Sequence, residues 1–537
     1  MDVFSLGVVV RQWLEQQPIK GYATSHLFTV SIPALVFSLF YLFKIHGVYS
    51  SSKKSNIHNL PPSPPRIPII GNLHQVGTLA HRSFRDLSRK HGPLMLLHLG
   101  QSQTLVVSSV EMATEIMKNQ DVAFANRPYT NAANALLYGC TDIAFAPYGE
   151  YWRQVKKISV LQLLSVKRVQ SLKYVRQEEV DILIQKISSS CSLRKDDEQV
   201  INLSEALQTL TNNIVSRCVL GAKYESAHGN RFGQLSKEIM ELLGAFSVGD
   251  YFPSLGWIDV VSGLSSKFNK AFQELDIFLD RVINEHLLRH SKSQDDDGEP
   301  DDSNKLDLTD VLLLSQKDNS KVSRNNIKAI IMDMFVSGSH TSATAMEWTM
   351  SELIKNPKVM DKAQDEVRRV VGNKSKIEEA DINQMDYLKC IVKEILRLHP
   401  PIPTLVPRES PNSTTKLAGY DIPPNTTVYI NAWAIHRDSK VWENPEEFRP
   451  ERFIDNPISF KGQDFEFIPF GSGRRGCPGL SFGIAIIEFA LANLLYRFNW
   501  EVPAGEKREE LDMTEASGFT VNRKIPLRVV PSTIKKP

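Results

Sequence analysis

The stretch FGSGRRGCPG, from Phe470 to Gly479, sets Cys477 behind a glycine-rich loop and directly ahead of the apolar run LSFGIAIIEFALANLLYRF. A cysteine so placed meets the unpaired N–H groups and positive dipole end of the helix that the run predicts, and both favour its thiolate. A thiolate is a soft ligand, competent to hold iron axially and to donate electron density that favours O–O cleavage. Gly473, Gly476 and Gly479 let the backbone approach a flat macrocycle that side chains would obstruct. The competing reading, a buried structural thiol beside a turn, requires none of the flanking Phe, Gly and Arg spacings.

Phe470, Gly473, Arg475, Cys477 and Gly479 fit F-x-x-G-x-R-x-C-x-G, and on these residues the chain resembles the cytochrome P-450 family. The resemblance implies that Cys477 is the proximal iron ligand of heme b (iron protoporphyrin IX). It also implies that Phe470 shields the sulfur, that Arg475 binds a heme propionate and that Gly479 belongs to the same cofactor loop. Glu394 and Arg397 form E-x-x-R on a predicted helix ending before Pro400, where residues three apart share a face, and FRPERF supplies Arg452. In the family these three make a structural ion network beneath the heme. Alone, such a helix pair is an ordinary solvated one of little worth. Trp152 and Lys156 in WRQVKK, and Arg408 in LVPRES, match the family's propionate contacts. Lys156 stands where Arg is usual, which keeps the charge and loses the bidentate fork.

SGSHT, Ser337 to Thr341, stands where the family has Ala-Gly-x-Asp/Glu-Thr. The match implies that Gly338 opens a groove for dioxygen and that Thr341 hydrogen-bonds the oxygen and guides protons. His340 replaces the usual acid. An imidazole with an ordinary pKa near 6.5 exchanges protons at neutral pH, so one expectation is that His340 takes over the relay. The others are that it faces the helix exterior, or binds a backbone carbonyl, while water at Thr341 delivers protons, or that the reaction needs fewer protons.

The periodicity predicts a mainly α fold with a minor β-sheet region; the resemblance implies that it is the cytochrome P-450 fold, preceded by one N-terminal transmembrane helix. LMLLHLG and TLVVSS, Leu94 to Gly100 and Thr104 to Ser109, read as a hairpin, and helical periodicity then dominates to about Trp500. Ser323 with Asn326 opens a long helix that crosses the domain, carries SGSHT, and ends at Pro357. The run Ser293 to Asn304 is a solvated acidic connection.

Residues 1–26 read as a luminal segment and 27–43 as a transmembrane anchor, uncharged for about 17 residues, the lower limit for a spanning helix. Residues 44–68 read as a basic and proline-rich hinge and 69–537 as the heme-thiolate catalytic domain. Lys44, Lys53, Lys54 and Arg66 follow the span with no acid before Asp86, so the positive-inside rule puts the large domain in the cytosol, single-pass on the endoplasmic reticulum membrane. A cleaved signal would have a shorter apolar core and a small-residue cleavage site.

A net charge of +2, from 63 basic and 61 acidic residues, argues against nucleic acid as a partner. Five scattered cysteines without a C-x-x-C pair fit a reducing compartment. No G-x-G-x-x-G opening a strand and helix is apparent, so electrons come from outside. The resemblance names NADPH-cytochrome P-450 reductase, with Lys156, Lys157, Lys167, Arg168 and Arg474 either a docking face for it or ordinary solvated charge. Substrate walls in the family match Arg127 to Tyr148, parts of Asn212 to Leu220 and Leu243 to Phe252, Met334, Phe335 and Ser337, Thr404 to Val406, and Ser517 to Phe519. These suit a small lipophilic substrate. The branch resembled, plant microsomal A-type, implies a monooxygenase of specialised metabolites, with terpenoids or alkaloids, particularly monoterpene indole alkaloids, as the leading classes. Hydroxylation, desaturation, aromatisation and oxidative cyclisation are all open. The competing activity is a reductase-independent isomerase or dehydratase acting on a peroxide.

Overall fold

Helix ends in this chain are fixed by short polar signals, and the central helix shows it best. In a computed structural model, Ser323 accepts from the Asn326 N–H while the Asn326 side chain accepts from the Ser323 N–H, a reciprocal cap. The helix then runs from Arg324 to Lys355, about 48 Å at 1.5 Å per residue. Pro357 opens the next helix at its first position, where a missing N–H costs nothing. From Ser342 to Ile354 every side chain is buried, which is the mark of a helix enclosed on all sides.

The described residues are 59–192, 200–223, 231–292, 306–318 and 322–534. The luminal segment, the anchor, residues 44–58 of the hinge and the acidic connection lie outside them. The rest of the hinge is non-helical, as its prolines require. It lies along the first strand, whose Leu96 N–H donates to the Pro62 carbonyl at 2.9 Å.

The hairpin forms as strands β1 (Leu94–Leu99) and β2 (Ser102–Val107). The second strand stops short of Ser109 because that side chain accepts from the Met112 N–H and caps a helix. Helix α1 (Glu150–Ile158) carries Trp152 and Lys156, α2 (Leu203–Leu220) and α3 (Arg231–Leu243) follow, and α4 is the central helix (Arg324–Lys355). Helix α5 (Asp386–Leu398) carries the E-x-x-R pair. Strands β3 (Arg408–Glu409) and β4 (Thr427–Ile430) complete a four-stranded sheet of order β1-β2-β4-β3, with β2 and β4 parallel and the outer pairs antiparallel. Helix α6 (Leu480–Arg497) follows Cys477. Among the described residues it alone is long and apolar enough to cross a membrane, and its buried Ile486, Ile487 and Phe489 to Leu495 identify it as core.

Helix α4 packs most closely on α2. A Cβ at Gly338 would stand 3.3 Å from Val215 Cγ2, so the glycine's first effect is to let α2 approach. The α-helix continues through Gly338.

Candidate active site

Cys477 ends its loop as the spacing predicts. Its N–H donates to the Phe470 carbonyl at 2.9 Å, closing the loop, and its sulfur receives the N–H groups of Gly479 and Leu480 at the start of α6. The loop also needs Gly473, whose φ of +66° is left-handed and whose added Cβ would meet the Met117 carbonyl and, at 2.7 Å, Asp121 Oδ1. The sulfur opens onto an internal cavity of about 240 Å³ rather than onto bulk water. Burial accordingly comes first and pushes the Cys477 thiol up, and the N–H groups and the Lys156 ammonium oppose it only in part. The helix end thus corrects the sequence expectation in degree: it supplies donors to the sulfur, but a bound cation is needed to make the thiolate the stable form.

Thr341, Gly338, Ser337 and Asp333 face the same cavity from α4. Trp152, Lys156, Arg408, Phe470, Arg475 and Gly479 line it too. The Trp152 N–H is committed to the Ile143 carbonyl at 2.9 Å, and its ring lies 4.2 Å from the Arg475 guanidinium. The Lys156 ammonium donates to the Gly476 carbonyl at 2.7 Å, so in this arrangement it braces the cysteine loop. Arg408 holds Asp121 at 2.8 Å and the Ser472 carbonyl at 2.8 Å, and Arg475 holds the Ala125 and Ala146 carbonyls.

Arg127 is a member of this group that its sequence context did not single out beyond marking a wall. It donates to the carbonyls of Ala144, Val406 and Pro407. Arg127, Arg408, Arg475 and Lys156 therefore converge on one side of the cavity. Burial lowers Arg127 well below its usual range, and Arg475 and Arg408 lower it further. Arg475 falls to about 9 from burial and from Arg408, and Lys156 to about 8 from burial, with Cys477 opposing. Four cations held this close, with one direct carboxylate partner in Asp121, form a site for an anion with more than one charge. A planar group carrying carboxylates and an iron fits these residues: thiol sulfur on one wall, cations at one edge, and at Gly479 a position where a Cβ would project to 3.9 Å from the sulfur.

The ion network beneath this wall is complete. Arg397 grips Glu394 through Nε at 2.7 Å and a terminal nitrogen at 2.9 Å, and Arg452 Nε reaches Glu394 Oε1 at 3.0 Å. Arg397 also donates to the carbonyls of His436, Pro445 and Glu447, pinning the segment that leads to Cys477. Glu394 and Arg397 are fully buried, so this is no solvated surface pair.

A model of the family described as Cytochrome P450 matches residues 61–527. The chain belongs to the cytochrome P450 family. It is similar to cytochrome P450 71A1 of Persea americana, with 54% identity over 86% of this chain and 91% of that protein. It is also similar to phenylacetaldehyde oxime monooxygenase CYP71AN24 of Prunus mume, with 50% identity over 97% of each. A solved zebrafish cytochrome P450, in a structure with abiraterone, superposes with a TM-score of 0.69 at 25% identity, covering 86% of this chain and 100% of that one. The fold, the plant A-type branch, the heme cofactor and the monooxygenase class read from the sequence are thereby established. Within this cytochrome P450, heme supplies iron-based oxygen activation when bound, and the chain supplies a sulfur ligand, a cationic edge and an apolar chamber.

His340 departs from the relay expectation. It is turned from the cavity toward α2, with Nδ1 3.0 Å from Gln208 Oε1. Burial, followed by the charge of Lys237 on α3, lowers it to about 4. It is neutral near pH 7 and does not face the cavity, so of the readings open to it the helix exterior is the one the packing supports. Thr341 donates its hydroxyl to the Ser337 carbonyl at 2.6 Å. Of the expected substrate walls, Arg127, Ile143, Ala144, Val219, Met334, Ser337, Leu405 and Val406 reach the cavity. Phe335, the 243–252 segment and Ser517 to Phe519 do not line it.

Proposed function

We propose that this cytochrome P450 is an O2-dependent monooxygenase, fed with NADPH-derived electrons by NADPH-cytochrome P-450 reductase, that oxidises a small lipophilic plant specialised metabolite. The single observation that supports it best is the pairing across one cavity of the Cys477 sulfur with Thr341 on α4. An isomerase or dehydratase has no use for an alcohol held on the oxygen side. Ile143, Val219, Met334, Leu405 and Val406 give the chamber an apolar wall, which favours a terpenoid or alkaloid skeleton over a sugar or peptide. Aromatic oximes join that panel because a relative of similar length is named for phenylacetaldehyde oxime.

Cys477 and the cationic edge seat the heme in this reading, the apolar wall orients the substrate and excludes water, and Thr341 hands protons to the reacting side. The reductase docks through Lys157, Lys167 and Arg474, which are exposed. Lys156 and Arg168 drop out of that face, because Lys156 points inward and Arg168 donates to the Leu306 carbonyl. The domain lies on the cytosolic face of the endoplasmic reticulum, anchored by residues 27–43.

The test is consumption of NADPH and O2 by the reductase-reconstituted holoenzyme across terpenoid, alkaloid and aldoxime panels, with product mass as the readout. Incorporation of one oxygen atom, or loss of two hydrogens, coupled to NADPH is expected. Turnover of a hydroperoxide with neither NADPH nor reductase overturns it.

A further inference from the structure

The residue before Thr341 is an imidazole turned out of the cavity toward α2, yet the cavity does receive an acid from α4. Asp333, Ser337 and Thr341 stand four residues apart, on one face, and all three line the cavity. The Ser337 hydroxyl donates to Asp333 Oδ1 at 3.0 Å, and the Thr341 hydroxyl rests on the Ser337 carbonyl. Asp333 Oδ2 accepts the N–H groups of Ile143 at 3.0 Å and Ala144 at 3.1 Å. The Ala144 N–H is shared with Asp142 Oδ2 at 3.0 Å, which also takes the Phe145 N–H at 2.9 Å. Two carboxyl groups therefore meet on one amide, deep in the protein. Asp142 Oδ1 is buried there with no hydrogen-bond partner.

Two like charges cannot both be stable in such a site. Burial, then the charge of Asp333, pushes Asp142 up to about 8, and burial raises Asp333. The charged groups that face the pair are Lys156 from α1, Arg127 and Arg475 from the loops on either side, and Cys477 from the opposite wall. Lys156 opposes the rise of Asp333 without abolishing it. At neutral pH the pair holds a proton within a hydroxyl's reach of the oxygen side.

We propose that Asp333, backed by Asp142, is the acid of this enzyme's proton relay and passes protons through the Ser337 hydroxyl to Thr341, in place of residue 340. For one transfer the Ser337 hydroxyl, which donates to Asp333 Oδ1 at rest, rotates its hydrogen toward cavity water at Thr341; the proton of the Asp333 carboxyl then passes from Oδ1 to Ser337 Oγ as Ser337 gives its own hydroxyl proton to that water. The carboxylate left behind is stabilised by the Ile143 and Ala144 N–H groups until solvent water returns a proton. No bond other than O–H breaks or forms, and no electron moves. The inference rests on the O2-dependent monooxygenase reading.

Two measurements test it. The first is infrared spectroscopy of the oxidised holoenzyme labelled with ¹³C-aspartate, without turnover. A protonated-carboxyl band at neutral pH is expected, lost or shifted in Asp333→Asn and in Asp142→Asn; no such band overturns the proposal. The second is hydrogen peroxide released per NADPH in the reconstituted enzyme, with phenylacetaldehyde oxime or the best substrate of the panel as probe. Ser337→Ala, which leaves the Asp333 contacts to Ile143 and Ala144 in place, is expected to cut product formation by about 10²-fold, the low end of a general-acid contribution. Peroxide is expected to rise in step, with the thermal midpoint unchanged and Ser337→Thr restoring coupling. His340→Gln is expected to leave the ratio alone. Wild-type coupling in Ser337→Ala, or uncoupling in His340→Gln, overturns the relay. Failure of the wild type to consume NADPH and O2 sinks the monooxygenase reading instead, and the infrared band still decides whether the acid pair exists.

Discussion

On the Cys477 side of the cavity, the groups that matter lie close together in the chain or at fixed helical spacing. Phe470 closes the loop on Cys477, Gly473 makes its turn, and Glu394 meets Arg397 one helical turn away. On the Thr341 side, the acid on α4 acquires its partner from a loop almost two hundred residues earlier, at Asp142 to Phe145. The residue next to Thr341 in sequence is instead consumed by packing on α2. The difference teaches that ligand geometry is coded locally here, whereas proton supply depends on which surfaces meet.

The comparison breaks most completely at the sulfur. Cys477→Ser is expected to abolish product formation, and the reduced enzyme with carbon monoxide should lose the spectral signature of trans sulfur coordination. A variant that keeps that signature removes Cys477 from the iron. Next comes the buried pair: Glu394→Ala leaves Arg397 charged, enclosed and unpaired, which costs about 3–5 kcal/mol. Denaturant unfolding of the holoenzyme checks this, and a loss below about 1 kcal/mol would show that the network is dispensable.

Gly473→Ala should cost about 1–3 kcal/mol, since it adds a Cβ at a left-handed φ against Asp121 and the Met117 carbonyl. Gly476→Ala is the informative control, because Gly476 lacks the positive φ and its nearest obstacle is the Gly473 carbonyl at 3.2 Å. A smaller loss than at Gly473, read as a shift in thermal midpoint, sharpens the case for local coding of the loop.

Two pH effects probe the other side. Asp142 holds its proton up to about 8 when folded, against an ordinary 3.8. Its stabilising contribution is therefore full below about pH 4 and is lost as pH rises through 8. Asp142→Asn, a mimic of the protonated acid, should lose less stability than the wild type between about pH 4 and pH 8; equal pH slopes would count against a shared proton. The smallest effect is expected at His340. With a folded value of about 4 against 6.5, it binds fewer protons when folded, so stability declines as pH falls from 6.5 toward 4. His340→Gln should flatten that decline while leaving coupling at neutral pH intact, and a change in coupling would return His340 to the oxygen side.

Much of this site is legible in the residues themselves. Ser323 and Asn326 give the start of α4, Pro357 its end, and the glycine and arginine spacings around Cys477 give the loop. Asp333 carries a signal too, since Asp, Ser and Thr at intervals of four mark one helical face, but the pattern says nothing about what that face meets. His340 lies one residue from Thr341 and so about 100° around the helix. That rotation separates a cavity from a neighbouring helix. Arg127 has no local pattern at all, because its partners are carbonyls of Ala144, Val406 and Pro407 brought in by the fold.

By itself the sequence determined the cysteine loop ahead of α6, the caps and breaks of the central helix, and the pairing of Glu394 with Arg397, because each rests on contacts between residues a turn or a loop apart. Tertiary structure alone decided that His340 is withdrawn, that four cations converge on one edge, that the Cys477 thiol is raised by enclosure, and that Asp333 shares an amide with Asp142. Those outcomes follow from desolvation and from charges placed side by side, and both quantities exist only once distant surfaces have closed on each other.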